Sequence, residues 1–577
     1  MSTRAATPTA PPAPKPRATA PPWFRWVLTL MAGVYLMGLF STASGDSDMW
    51  WHLRSGKYIW ENHRLPVPDP FAYTTDSGTP VYSGELTTRH FNLTHEWGME
   101  LIYYLVQSKF GFPGLVLFRA FLLTFFCGIT GWLTWRRSGS YYRGLAAAVY
   151  ATTLAILFAS DRAFLATFVL VPLTVAAFET RRCLWLLPPT FLVWANLHGG
   201  FVMGWAVAGV YSAEALYLWY RGKPLADERK VWTVSTLSVL ASLLNPNGLG
   251  VLAVMLHYRD SPLQLSISEW NYPAWWPPDF FNLLMVGTAV VLLWAGRRAR
   301  LRDWLLFLVL GTSAAMALRN VIFIAFVGPM LLATYIPVWK REVPAILEYP
   351  VAAFFLFAIG IGIAHGRTFE LRMDDYRYPK GAVDFLREHG IRGRLFNTYE
   401  AGGYLMWRLW PDDRVFIDGR ALNEQVWNDY IHIAFNADYQ GGKTTQQLLD
   451  SYGVDVIVMN GFDYKGQLYY LPAALADPVQ KKWKLVFADP KAVIFMRTPP
   501  PDVKPLPSLD ALTGLENQCT FNVKMGLAPR CAQSLADTFM KIGDWKRGRE
   551  WAKNYLLVDS QDAKALAMLQ WLDAHGK

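Results

Sequence analysis

Cysteine is scarce in this sequence, four in 577 residues, and none stands at the spacing of a zinc site. No Gly-x-x-x-x-Gly-Lys-Ser/Thr loop offers a phosphate cradle, and no Gly-x-Ser-x-Gly elbow offers a serine nucleophile. These absences set aside zinc-module, P-loop and α/β-hydrolase chemistries. Charged residues are also thin, at 17% of the chain. No strip interleaves basic and aromatic side chains, so the net charge of +10 does not argue for nucleic acid. What the chain has in quantity is apolar surface, 53% hydrophobic residues with 26 Trp. Apolar runs of near-spanning length recur through the first two-thirds, which makes it a polytopic α-helical membrane protein.

Residues 1–22, rich in Ala, Pro and Thr, cannot bury a core and are expected to form a disordered cytoplasmic tail. The first span follows at Trp26–Thr42. It is long for a signal-peptide core, although Ser41-Thr42-Ala43-Ser44 would suit cleavage. Met99–Phe110 reads as a helix lying at the interface. Later spans are expected at Pro113–Trp135, Arg143–Ala159, Phe164–Phe178, Leu184–His198, Phe201–Tyr220, Val231–Leu256, Phe280–Ala295, Trp304–Leu318, Val321–Trp339 and Val351–Ala364, about eleven in all. With a cytoplasmic tail, Arg136-Arg137, Arg181-Arg182, Arg221 to Lys230, Arg297 to Arg302 and Lys340-Arg341 all fall on the cytoplasmic face. The opposite loops are poor in Lys and Arg. The positive-inside rule then places the loop 45–96 and everything after residue 365 outside, and the basic excess is a topogenic signal.

The outer charges are the site candidates. Asp46 and Asp48 leave the first span two residues apart, a pair that can divide the roles of base and hydrogen-bond acceptor or ligate a divalent cation such as Mg or Mn. Asp48 also reads as a helix cap. The outer loop closes on His95-Glu96. Arg54, Arg162 and Arg319 are candidates to hold a phosphate by forked hydrogen bonds, although Arg162 could instead pair with Asp161. His198 precedes Gly199-Gly200, which admit a ligand or a neighbouring helix. Glu269 lies in an aromatic loop, Trp270 to Trp276, that suits a sugar face or the interfacial belt.

After residue 365 no spanning run remains. Strands are expected at Arg394–Asn397, Val415–Asp418, Val454–Met459, Lys484–Ala488 and Ala492–Met496, with helices between, so 366–498 reads as an extracytoplasmic α/β domain with a largely parallel sheet. Asp418-Gly419-Arg420 reads as a ligand site at a strand end or as a plain turn. A Pro-rich linker at 499–512 leads to a helical segment, 513–577, with three helices from Ser534 onward. Their tight turn at Gly543-Asp544-Trp545 resembles tetratricopeptide hairpins and could dock a protein partner. Cys519 and Cys531 could pair in an oxidising compartment.

Seven segments resemble a bacterial branch of the GT-C superfamily of membrane glycosyltransferases. They are Asp46-Ser47-Asp48-Met49-Trp50-Trp51-His52-Leu53, Asp69-Pro70-Phe71-Ala72-Tyr73-Thr74, His95-Glu96-Trp97, Asn196-Leu197-His198-Gly199-Gly200, Asn245-Pro246-Asn247-Gly248, Arg319-Asn320 and Ala401-Gly402-Gly403-Tyr404-Leu405. That superfamily includes protein O-mannosyltransferases and lipid A aminoarabinose transferases. The resemblance implies inverting transfer of a sugar from a polyprenyl-phosphate lipid to a glycan, lipid or protein acceptor at the outer face of the bacterial cytoplasmic membrane. It implies Asp46 or Asp48 as base, Arg54, Arg162 and Arg319 as donors to the leaving phosphate, and His95 and Glu96 completing the site, with or without a metal. The rival readings are a non-catalytic scaffold for envelope partners and a transporter of lipid-linked glycan. The second lacks the inverted repeat such carriers show.

Overall fold

The computed structural model describes residues 21–575 except 224–225, 258–259, 338–344, 421 and 438–441. Most of the expected N-terminal tail, the loop pair Lys340-Arg341, the end of the expected span Val321–Trp339 and the start of the outer loop after His257 lie outside the described residues.

Helices dominate because the apolar runs carry no other way of satisfying their backbone in lipid. Glu85–Ser138, Tyr141–Phe158, Gly199–Tyr220 and Phe280–Arg298 are long and apolar enough to cross a bilayer. Shorter apolar helices are Phe24–Phe40, Phe164–Thr180, Leu184–Leu197, Ile322–Tyr335 and Glu348–Ala364. One expected boundary holds and one changes. The expected helix Met99–Phe110 and the span after it lie end to end in Trp97–Ser138, two helices parted by a non-helical Gly111 (φ 64°, ψ −163°) two residues before Pro113. The expected single span Val231–Leu256 is two helices, Glu228–Ser242 and Gly250–His257. They part at Asn245-Pro246-Asn247-Gly248, where Asn245 Oδ1 accepts the N–H groups of Asn247 and Gly248 at 2.8 and 3.2 Å.

Four elements frame the end of the helical region that carries Asp46 and Asp48, expected to be the outer one: α1 (Phe24–Phe40), α2 (Asp48–Asn62), α3 (Glu85–Thr94) and α4 (Trp97–Ser138). α2 packs closely on α4, since a Cβ on Gly56 would sit 2.1 Å from the Glu100 carbonyl oxygen. Its opposite side meets the helix Tyr399–Leu409 through Trp50, whose ring lies 4.9 Å from Tyr404 and 5.2 Å from Tyr378.

The sheet is β1 (Leu395–Asn397), β2 (Val456–Met459), β3 (Lys484–Ala488) and β4 (Val493–Met496), in the order β1-β2-β4-β3. Only β1 and β2 are parallel; β2/β4 and β3/β4 are antiparallel, so the sheet is not the largely parallel one expected. Residues 489–492 are too short a link for a parallel crossover and close a hairpin instead. Val415–Asp418, expected as a strand, makes a single bridge, Val415 with Ala72, and the Phe416 N–H donates to Asn397 Oδ1 at 2.8 Å.

The first outer loop and this sheet region are clamped together. Arg420 donates bidentately to Asp69 at 3.0 and 3.0 Å and to Asp418 at 2.7 and 2.7 Å, with its guanidinium over Phe71. Asn423 donates to the carbonyls of Thr75 and Ser77. The C-terminal segment has four helices rather than three. Asp510–Met525, which begins inside the expected linker, is joined to Cys531–Lys541 by a Cys519–Cys531 disulfide with Cα atoms 5.6 Å apart.

Candidate functional site

Asp46 and Asp48 stand at the start of α2. Asp46 Oδ1 accepts the Asp48 N–H at 2.9 Å, and Asp48 in the first helical turn complements the helix dipole. Neither faces open solvent, with side chains 9% and 18% exposed.

The charge that meets them is Arg162. Its partner is not its sequence neighbour Asp161. That carboxylate turns the other way, accepting from Arg119 Nη1 at 3.0 Å and from the Ser44 hydroxyl. Arg119 rises from the apolar run of α4 and is itself buried, donating also to backbone carbonyls at the end of α1. The buried pair Arg119–Asp161 therefore sets the loop between two apolar helices so that Arg162 projects toward α2.

All three guanidinium nitrogens are used. Nε and Nη2 donate to Asp46 at 2.7 and 3.2 Å, Nη2 lies 3.2 Å from Asp48 Oδ2, and Nη1 donates to Glu269 Oε1 at 2.6 Å. Three carboxylates, two from the stretch 46–48 and one from the distant turn at Glu269, converge on one arginine.

This arrangement splits the acidic pair. Burial would raise both carboxyls, but Arg162, the short Asp48 N–H bond and nearby charge hold Asp46 below its usual range. Asp48 is pushed up to about 7 by burial, with Asp46 and Glu269 adding to the rise against the pull of Arg162. One carboxylate stays ionised and its neighbour titrates near neutrality.

The turn Ser268–Trp270 ties a second arginine to the first. Glu269 reaches Arg162, while Trp270 lies under Arg319, whose guanidinium carbon is 4.5 Å from a ring centroid. The Leu318 N–H donates to the Asn271 carbonyl at 2.9 Å, pinning the turn Leu318–Asn320 beside it. Among the described residues no carboxylate pairs with Arg319.

Beside these groups lies an imidazole cluster. His95 Nε2 is 2.7 Å from Glu96 Oε1, and His52 Nδ1 is 3.5 Å from Glu96 Oε2. Burial holds His52 down at about 4, so it is neutral despite Glu96 and Asp46 nearby. His198 Nδ1 accepts the Gly200 N–H at 3.1 Å and lies 2.8 Å from Thr167 Oγ1, itself an acceptor from Trp194 Nε1 at 2.9 Å. These bonds leave Nε2 of His198 as the protonated nitrogen. Gly199 and Gly200 serve a neighbouring helix: a Cβ on Gly199 would meet the Phe91 ring of α3 at 2.6 Å.

The C-terminal domain supplies a wall. A Cβ on Gly419 would stand 2.4 Å from Asp48 Oδ1, so the turn Asp418-Gly419-Arg420, expected as a strand-end ligand site or a plain turn, lies directly on the acidic pair. Tyr399 donates to the Gly419 carbonyl at 3.2 Å.

Of the residues singled out from sequence, Asp46, Asp48, Arg162 and Glu269 form one contact set, with Arg319 joined to it through Trp270. Glu96, His95 and His198 form the adjoining cluster. Arg54 does not belong. It sits on another face of α2, 4.5 Å from a Trp410 ring and 3.6 Å from Glu61. Sequence reasoning missed His52, although its i+4 spacing from Asp48 puts both on one helical face. It also missed Arg119, a lone arginine inside an apolar run, and Tyr399, which no local pattern marks, whereas the turn at Gly419 was named but not tied to the acidic pair. The donor set does not suit the divalent cation considered for Asp46 and Asp48. Both Asp46 oxygens and one oxygen each of Asp48 and Glu269 are taken by Arg162, and among the described residues no group of three His, Cys, Asp or Glu is disposed to hold a metal.

No protein-family model matches the sequence, and no curated protein does. The archaeal oligosaccharyltransferase AglB from Archaeoglobus fulgidus, solved with an inhibitory peptide and a dolichol-phosphate, is similar over 91% of this chain and 86% of that one, with a TM-score of 0.52 and 9% identity. What the two share is the fold. Crystal structures of the Archaeoglobus fulgidus oligosaccharyltransferase, one tethered with an acceptor peptide and one in the apo form, align with TM-scores of 0.48 and 0.47 at 11% identity. They cover 84% of this chain and 76% and 75% of theirs. AglB is a GT-C superfamily member, so the overall fold agrees with the one the short motifs imply, without fixing the number of spans, and the apolar helices together with this likeness support a membrane protein.

Proposed function

We propose that this chain is a GT-C-type glycosyltransferase that moves a sugar from a polyprenyl-phosphate lipid to an acceptor nucleophile at the outer membrane surface. The observation that carries the reading is the split acidic pair held by Arg162, with Arg319 joined to it through Trp270 and, among the described residues, paired with no carboxylate. The fold shared with AglB, which was solved with a dolichol-phosphate, supports a lipid-phosphate donor.

The chemistry follows from what each group can do. An acceptor hydroxyl is a weak nucleophile near neutral pH and needs a positioned base. Asp48, titrating at about 7, takes its proton as the acceptor oxygen bonds to the anomeric carbon. The bond from that carbon to the lipid phosphate breaks, and the phosphate leaves with the electron pair. One displacement inverts the anomeric centre. Asp46 stays ionised on Arg162 and keeps that cation oriented. Arg319, stacked on Trp270, and the Nε2 proton of His198 are the donors for charge gathering on the phosphate. Glu96 holds His95 and His52 rather than serving as a second base. The proposed orientation, with the tail cytoplasmic and residues after 365 outside, puts this pocket where the carrier presents its sugar.

The test is donor consumption by the purified full chain in lipid nanodiscs, offered polyprenyl-phosphate monosaccharides and polyprenyl-diphosphate glycans with a membrane extract as acceptor source. Wild-type protein should consume one donor class, and Asp48→Asn should reduce the rate by about two to four orders of magnitude while leaving the fold intact. If wild-type turnover of every donor equals that of Asp48→Asn, the transferase reading is wrong.

A further inference from the structure

Resting on that reading, we infer that Arg162 is a built-in replacement for a divalent cation: the guanidinium occupies the point on which Asp46, Asp48 and Glu269 converge, and the resident site needs no metal. Two of the acids, Asp46 and Asp48, lie together at the start of α2 and the third, Glu269, comes from the loop before Phe280, and nothing in those two segments would hold three negative charges together. A cation must sit among them. A divalent ion would need their oxygens about 2.0–2.6 Å from a common point. Here the oxygens stand instead 2.6–3.2 Å from three different nitrogens of one planar fork.

Two further features make this a constructed position. The Arg119–Asp161 pair occupies the only neighbouring carboxylate that could draw Arg162 away in sequence. The Gly419 turn presses on Asp48 from the other side, leaving no space for that carboxylate to swing outward without displacing backbone. Arginine suits the role better than lysine, because an ammonium offers its three N–H bonds from one atom, whereas here four carboxylate oxygens are met from three separate nitrogens of a planar fork. The consequence is that deleting the guanidinium leaves a carboxylate trio with the charge and hardness of a divalent-cation site.

The full chain, purified without chelator and held in mildly alkaline buffer, is titrated with Mn2+ alone and followed by electron paramagnetic resonance. Wild-type protein should show no saturable site. Arg162→Ala should gain one, binding Mn2+ at least about ten-fold more tightly than wild type, and Arg162→Ala with Glu269→Gln should lose that gain. A stoichiometric wild-type site that Glu269→Gln weakens overturns the inference, as does a monodisperse Arg162→Ala protein that binds no Mn2+. If Arg162→Ala does not purify as a single species, Arg162→Gln carries the same arm, and the wild-type titration decides by itself. The readout is metal binding, so the two readings fail separately. A wild-type protein that consumes donor and binds Mn2+ sinks only this inference, and one that binds no Mn2+ and consumes no donor sinks only the transferase.

Discussion

Asp48 shows how a single side chain acquires a working pKa from its surroundings. Burial raises it, Asp46 and Glu269 raise it further, and Arg162 stops the rise near neutrality. The protonated acid cannot accept a proton, so the rate of transfer should fall by about ten-fold per unit as pH drops below about 7 and level off above it. Glu269→Gln removes one negative neighbour and frees a donor of Arg162 toward Asp48. Both effects lower the Asp48 pKa, so the acid limb of the pH–rate profile should move to lower pH; an unmoved limb would mean that Asp48 is not the titrating base. Arg319 makes a second case. Stacked on Trp270 with no carboxylate partner among the described residues, it is the guanidinium proposed to bind the donor's phosphate. Arg319→Ala should weaken donor binding by about ten- to a hundred-fold, with Arg319→Lys restoring part of it, as read by the donor KM. The identity of these charges was legible in the sequence because charge at the end of an apolar run is costly and so conspicuous. Their grouping was not: sequence adjacency offers Arg162 only Asp161, and it is the buried Arg119–Asp161 pair that leaves Arg162 to the distant Asp46.

At the scale of elements, the outer end depends on close backbone approach. α2 can lie against α4 only because Gly56 has no side chain, a Cβ there meeting backbone rather than a movable group. Gly56→Ala should therefore destabilise the protein by about 1–3 kcal/mol and displace the acidic pair at the head of α2. Gly209, within the helix Val202–Tyr220, has open space around it, and Gly209→Ala is the matched control, expected to change stability by less than about 1 kcal/mol. Thermal unfolding of the two variants in the same detergent checks the contrast, and equal losses would refute it. Most helices could be read from apolar runs, because length and hydropathy are local properties. The break at Gly111 was legible, Gly and Pro standing two residues apart, whereas the one at Asn245-Pro246 is equally local yet is read through, since the hydrophobicity on either side outweighs one breaker. The sheet misled for a different reason. Alternating strands and helices suggest parallel pairing, but the four-residue link between β3 and β4 forces a hairpin, and Val415–Asp418 spends its backbone on the distant outer loop rather than on the sheet.

For the whole molecule, the opposite ends differ in chemistry. The end bearing the site carries the carboxylate cluster and the disulfide-linked helices. The other collects the arginine-rich loops and a buried network in which Arg137 donates to Asp303 at 2.8 Å and Arg302 to Glu214 at 2.8 Å. A disulfide suits an oxidising compartment and a run of arginine loops the cytoplasmic face, so two independent rules support the proposed orientation. The native cysteines can test it without any substitution. Cys183 is exposed and follows Arg181-Arg182, Cys127 is buried, and Cys519 and Cys531 are bonded to each other. In intact spheroplasts a membrane-impermeant maleimide should leave the chain unlabelled. Mild reduction should then admit label at Cys519 and Cys531 from outside, and Cys183 should react only after the membrane is permeabilised. Labelling of Cys183 in sealed spheroplasts would invert the topology and put the acidic pocket on the cytoplasmic side, where a carrier flipped to the outer leaflet could not reach it.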